Sequence, residues 1–386
     1  MRQMPAVAVL LGVTLSLAIG ACSSVEKLNP FGSSAPKVKP TELAPIQATA
    51  ELKSLWQASV GSAGEYVFSP AVVGSSVYAA ARDGSLVRVD GGRQVWRVSA
   101  GQVLSGGVGS DGTLVVVGTP KGEVLAFDAA TGRESWKARV SSEVLAAPAV
   151  ADGLVVVRSG DSRIFGFDAA DGKRRWVYQR STPALSLRSS VGVMLAGKFT
   201  LAGFPAGKLV AIANNNGALV WEVTVALPKG ATELERVADV TSSPAVSGTT
   251  ICAAAYQGRV ACFESNSGNT LWSREMSSSV GLDMDSRYVY VTDDKGAVHC
   301  LDRNSGASVW KQDKLGLRSV SRPLAIGNHV AVADYQGFVH LLRREDGAFA
   351  ARIATDGSAV RTEPQRLGDG LLVQTANGGL HALDAR

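Results

Sequence analysis

Three of the four histidines in this chain, His299, His340 and His381, each stand three residues after a glycine. Imidazole is the commonest metal ligand and the usual general base near neutral pH, so metal binding and acid–base catalysis are the first chemistries to weigh. A second recurring group is acidic. Asp90, Asp128, Asp168, Glu264, Asp302 and Asp384 each lie six residues after a glycine or, once, after Ser162. Carboxylates in pairs could serve as general acid and base. Cys252, Cys262 and Cys300 form the third set, with thiols for metal or disulfide chemistry.

The spacing argues against each site. Zinc ligands come in short clusters such as Cys-x2-4-Cys or His-x3-5-His. The three histidines instead occupy one seat in successive repeats, and equivalent seats lie a repeat apart, so no metal is assigned. The acidic residues are as regular, which marks them as turn residues whose carboxylates bond nearby backbone N–H groups. Nothing resembles a nucleophile elbow. No catalytic residue and no cofactor is assigned.

The elements behind this regularity are set by tryptophan. All seven, Trp56, Trp96, Trp136, Trp176, Trp221, Trp272 and Trp310, fall at one place in a repeat of about forty residues, a period that indicates stacked repeats or a propeller. Each unit has a first turn glycine (Gly122), an acidic residue, a second turn glycine (Gly132) and then Trp136 four residues on. Alternating segments such as Glu123 to Phe127 and runs such as Leu114 to Val117 read as strands of a meander. Ser-Pro-Ala-Val or a close variant, as at Ser69 to Val72, Ala147 to Val150 and Ser243 to Val246, supplies a fourth strand. Four strands per unit make a propeller blade. The last repeat stops at Arg386 before its Trp seat, and Glu51 to Val60 is a Trp-bearing strand with no hairpin before it. Each fragment completes the other if the ring closes. Counting the acidic seats with the degenerate ones, Ala213 and Arg343, predicts an all-β, eight-bladed propeller over residues 51–386, closed by the N-terminal strand. In the seventh repeat Ala351 occupies the Trp seat, and Phe349 is expected to fill the gap.

The N-terminus adds a compartment. Residues 1–21 carry Arg2 and an apolar run from Ala6 to Ile19, too short to span a membrane and right for an export signal. Ile19-Gly-Ala-Cys22 resembles the bacterial lipoprotein processing site, which implies acylation of Cys22; Ser23 rather than Asp after it implies sorting to the outer membrane. Residues 22–50 hold Pro30, Pro36, Pro40 and Pro45 without repeat register and are expected to be a flexible tether. If Tyr256-Gln-Gly258 is a short turn, Cys252 and Cys262 face each other across a hairpin and an oxidising compartment could join them. Cys300 shares the repeat seat of Cys262, which favours packing as the reason for all three. A net charge of +5 is too small and dispersed for a nucleic-acid partner.

The segment Ala126-Phe-Asp-Ala-Ala-Thr-Gly-Arg-Glu-Ser-Trp136, with relatives at Phe167 to Trp176, Cys262 to Trp272 and Cys300 to Trp310, is similar to the tryptophan-docking motif of quinoprotein propellers, whose blades interlock through that Trp. Two families carry it: pyrroloquinoline-quinone-dependent dehydrogenases, and the BamB family of lipoproteins in the outer-membrane β-barrel assembly machinery. The dehydrogenases are longer, and many have adjacent cysteines that this chain lacks. The lipoprotein start, the compact repeats and the closing strand match the BamB family over essentially the whole chain. That resemblance implies a non-catalytic scaffold on the periplasmic face of the outer membrane, with the periplasmic POTRA repeats of BamA as partner and unfolded outer-membrane proteins as further contacts. A quinone-dependent dehydrogenase and a generic periplasmic ligand-binding propeller are the alternatives. The repeat stretches between Trp176 and Trp272, at Ser181 to Arg188 and Pro228 to Pro244. By the resemblance, Leu185 and Leu187 are apolar anchors for the partner, Arg188 a charge contact and Asp239 its complement or brace; Thr241 stands where a second Asp is typical. Without it, Leu185 and Leu187 read as an inner strand and Arg188 as an ordinary exposed base.

Overall fold

A computed structural model describes residues 39–385, and the signal, Cys22 and the tether up to residue 38 lie outside the described residues. Thirty-two strands form eight four-stranded antiparallel sheets. Blades 1 to 7 comprise residues 71–99, 106–139, 149–178, 194–224, 245–275, 281–312 and 324–354. Blade 8 combines residues 365–385 with an outer strand from the other end of the chain, Leu52–Ser59. That strand pairs antiparallel with Gly379–Ala385, matching Ser59 to Gly379 and Trp56 to Ala382. The predicted ring of eight blades and its closure are both present.

Why these segments become strands follows from how they are buried. Leu114–Gly118 is buried at every position, because both faces of an inner strand are covered by neighbouring blades. Its β-branched residues suit that pleated, two-sided packing. The outer strand Glu134–Arg139 buries little except Trp136 and alternates toward solvent. The core therefore lies between blades: Val116, Ala126 and Trp136 of blade 2 pack on Val155, Phe165 and Phe167 of blade 3. The recurring acid acts in its turn, as Asp128 accepts from Thr131 N at 2.7 Å and Asp302 from Ser305 N at 2.9 Å.

Tryptophan joins successive blades at every junction except that of blades 7 and 8. The indole Nε1 of Trp136 donates to Ala169 O at 2.8 Å, and those of Trp96, Trp176, Trp221, Trp272 and Trp310 donate to Ala129, Asn214, Ser265, Arg303 and Arg344 carbonyls in the following blade. Beneath each ring lies the next blade's second turn glycine. A Cβ on Gly172 would come within 2.5 Å of Trp136, and one on Gly92 within 2.7 Å of Trp56.

Three expectations need correction. Phe349 does not fill the space at Ala351. A β-bulge between Leu341 and Leu342 turns it away, and it packs with Trp310 and Tyr290 toward blade 6. Ala351 packs instead with Leu341, Leu383 and the entering residues Ala50 and Leu52, while Ala350 O accepts from Thr49 N at 2.8 Å. No indole is needed there, because the entering residues Ala50 and Leu52 occupy the place of the turn it would cover.

The second correction concerns the tether, expected to run to Ala50. From Thr41 onward the chain is held against blade 7 and the connection before it. Thr41 N donates to Gly316 O at 3.0 Å, Arg318 to Thr41 O at 3.1 Å and Arg352 to Ala44 O at 3.0 Å. Both arginines belong to one buried network. Arg318 Nε donates to Asp334 at 2.7 Å, His340 Nε2 lies 3.2 Å from the same carboxylate, and Arg352 Nε donates to His340 Nδ1 at 3.1 Å. Proline content indicated a free linker, but backbone carbonyls at Thr41 and Ala44 offer acceptors to two guanidinium groups already fixed by packing.

Third, Cys252 and Cys262 form a disulfide, where packing alone was favoured; Cys300 is free and buried. The two are direct cross-strand partners, with Cα atoms 4.1 Å apart. Cys300 shares a seat with Cys262, but the residue opposite it is Tyr290, so the common seat conceals different neighbours.

Candidate functional site

Strands within a blade alternate direction, so the connections between blades and the first turns share one face of the ring. The two longest connections on that face are residues 179–193, between blades 3 and 4, and residues 225–244, between blades 4 and 5. Neither contains a regular strand. The first holds Leu185, Leu187 and Arg188, the second Asp239 and Thr241. An inner strand at Leu185 and Leu187 is thus excluded; that of blade 4 is Met194–Ala196.

Asp239 ties the two connections together. It is only 3% exposed, with Oδ2 accepting from Leu187 N at 2.7 Å and Oδ1 accepting from Ala206 N at 3.1 Å. Its own carbonyl accepts from Tyr256 N at 2.9 Å in blade 5. A buried carboxylate is tolerable when backbone donors satisfy it. The geometry is that of a brace, and Asp239 does not meet Arg188.

Arg188 pairs elsewhere. Its Nε and Nη2 donate to the two oxygens of Glu143 at 3.0 and 2.8 Å, a bidentate contact to the connection before blade 3. The Arg188 guanidinium holds the Glu143 carboxyl below its ordinary range. Below these groups Arg158 lies across the Phe204 ring at 5.1 Å and donates to Gly203 O. Burial pushes its pKa down to about 10, against an opposing pull from Asp239. A cavity of about 50 Å³ lies among Glu143, Arg158, Arg188 and Asp239.

Leu185 and Leu187 are 42% and 40% exposed. Leu234, at 71%, is the most exposed large apolar residue described, and Leu227 in the same connection reaches 61%. Sequence reasoning missed both, along with Glu143. An isolated leucine within Lys229-Gly-Ala-Thr-Glu-Leu-Glu-Arg236 is the signal that was available. Thr241 caps this region by donating to Ser279 O at 2.9 Å.

The histidines stay apart. His299 and His340 each contact the Asp of their own turn, Asp293 at 2.8 Å and Asp334 at 3.2 Å. Among the described residues no group of three or more His, Cys, Asp and Glu side chains is placed to hold a metal ion.

Eight blades, locked at seven of their junctions by tryptophan on a turn glycine, define a quinoprotein-like propeller, here with long connections clustered at blades 3 to 5. The Comamonas testosteroni quinohemoprotein alcohol dehydrogenase has this fold, with a TM-score of 0.69 at 14% identity over 86% of this chain and 76% of that one, a likeness of fold alone. The crystal structure of BamB from Moraxella catarrhalis is nearer, with a TM-score of 0.81 and 29% identity over 86% of this chain and all of that one. Residues 82–312 match the family model described as outer membrane protein assembly factor BamB. Proteins of that name from Bordetella pertussis and Nitrosomonas eutropha are each 43% identical, covering 94% and 90% of this chain and 93% and 85% of their own lengths. The chain belongs to the BamB family.

Proposed function

We propose that this protein is a non-catalytic scaffold lipoprotein of the outer-membrane protein assembly complex, acylated at Cys22 and facing the periplasm. Its partner is a BamA-like protein, bound through the periplasmic POTRA domains by the connections between blades 3, 4 and 5. The observation that carries this reading is the pinning of an exposed apolar segment by a buried carboxylate. Leu185 and Leu187 lie on irregular chain, yet Asp239 fixes the backbone between them and the next blade. A loop already ordered loses less conformational entropy on binding. Leucines flanked by an arginine form an apolar centre with a charged rim, the usual arrangement of a specific interface.

The test is co-purification from detergent-solubilised membranes. A BamA-like protein is recovered with the native chain, and recovery falls at least about tenfold with Leu187→Asp or Arg188→Glu, a loss of about 1.4 kcal/mol or more. Absence of such a protein, or equal recovery with both variants, overturns the reading. A mass increment on Cys22 tests the anchor separately.

A further inference from the structure

Where the inner strands of the blades meet, they enclose an axial channel of about 460 Å³. Sites of this volume accommodate small organic ligands, and in such sites a few convergent polar groups on apolar walls set orientation. Val72, Val108, Val150 and Val193 supply apolar wall. Among the described residues, charge enters from two adjacent blades only, through Arg322 at blade 7 and Arg361 and Glu363 at blade 8.

These groups are not satisfied by the protein. Arg322 uses Nε to hold Leu282 O at 2.6 Å, and its terminal nitrogens have no acceptor among the described residues. Glu363 is half-buried and has neither an ion pair nor a hydrogen bond among them. Although Arg322 and Glu363 line one cavity, they do not pair with each other. Two hydroxyls complete the set. Ser242 and Thr362 are 6% and 5% exposed, line the same channel, and have buried oxygens without a hydrogen-bond partner. Ser242 and Arg322 both approach Gly281: a Cβ there would lie 2.4 Å from Ser242 Oγ and 3.9 Å from Arg322 Cδ. Unpartnered buried hydroxyls are costly, whereas the ends of Arg322 and Glu363 keep contact with solvent in the channel and are free to take a partner from it. A ligand carrying the opposite charges offers that partner to both.

We propose that the axial channel binds an amino-acid-sized zwitterion bearing a second carboxylate. One carboxylate pairs with Arg322 and accepts from Ser242, and the ammonium pairs with Glu363. The second carboxylate meets Arg361, whose Nη1 already donates to Gly64 O at 2.8 Å and which leaves further donors toward the channel. Two arginines against one glutamate leave the lining one positive charge in excess, matching a ligand of net charge −1.

The experiment is titration calorimetry on the full-length chain in detergent, with L-glutamate, glutarate and glycine as probes. L-Glutamate binds best. Glutarate, lacking the ammonium, and glycine, lacking the second carboxylate, bind about tenfold or more weakly. Arg322→Gln abolishes binding of all three. Glu363→Gln weakens L-glutamate about tenfold and brings glutarate level with it. Both variants are first shown to keep the native melting temperature, so a lost signal reports the site. No heat from any probe at about 10 mM, a concentration that would reveal millimolar affinity, overturns the proposal. So does L-glutamate binding that both variants leave unchanged.

Discussion

Gly347 has no room for a side chain, because a Cβ there would lie 2.4 Å from Cε3 of Trp310. Its φ of +72° disfavours any other residue independently. The Trp and glycine seats that recur along the sequence are therefore two halves of one contact between successive blades. Gly347→Ala should lower unfolding free energy by roughly 2 to 4 kcal/mol, from overpacking plus left-handed strain. Gly327→Ala is the control: φ is +52° there but no atom lies within 4 Å, so only about 1 kcal/mol should be lost. Urea unfolding of both variants checks this, and equal losses would refute the steric account.

Asp239→Ala leaves the Leu187 and Ala206 amides without their acceptor. We expect a loss of about 2 kcal/mol and faster hydrogen exchange at those two amides. Asp239→Asn, which keeps one oxygen, should recover part of each. Arg188→Ala breaks only an exposed ion pair and should cost under about 1 kcal/mol, so any larger effect on partner recovery belongs to the interface.

Burial pushes the imidazoles of His329, His340 and His381 below their ordinary range. The unfolded chain then binds more protons than the folded one, and the stability this confers is complete above about pH 6.5 and is lost as pH falls toward the folded values. The lowered carboxylates act in a separate window, since their contribution is present above about pH 4 and fades only below it. Between pH 7 and 5 the unfolding free energy from urea titration should therefore fall chiefly through histidine, by up to about 1.4 kcal/mol per pH unit for each group. His381→Gln should make that decline shallower; an unchanged slope would exclude His381.

Arg352 joins the entering chain to the buried Asp334 and His340 pair. Arg352→Ala should speed hydrogen exchange across residues 41–50 while leaving blades 2 to 4 unaffected. Uniform acceleration throughout the ring would mean that the entering segment is not held independently.

Blade number and closure were legible because the evidence for them is local and repeated. Each turn glycine and each Trp is placed by its own short stretch of sequence, and the truncated last repeat matches the orphan strand bearing Trp56. What was not legible depends on contacts between blades. Glu143 reads as a plain surface acid until residues 140–148 lie beside Arg188, and nothing near Asp239 in sequence shows that its donors are Leu187 and Ala206. Phe349 was misplaced by a single bulge, which inverts the facing that strict alternation predicts. The disulfide is not legible because a shared repeat seat says nothing of the residue opposite.

The pairing of Leu52–Ser59 with Gly379–Ala385 bears on the order of assembly. Among the first propeller segments to be synthesised, Trp56 must wait for almost the whole remaining chain before its sheet exists. Seven blades can form from neighbouring residues, whereas the eighth requires the most distant contact in the molecule, and distant contacts form slowly. Until that strand arrives the ring has an unpaired edge on its last sheet, the kind of surface on which immature chains aggregate. On this order blade 8 closes last, and a chain truncated by a few residues at either end of the propeller should fail at that closure rather than in the blades between.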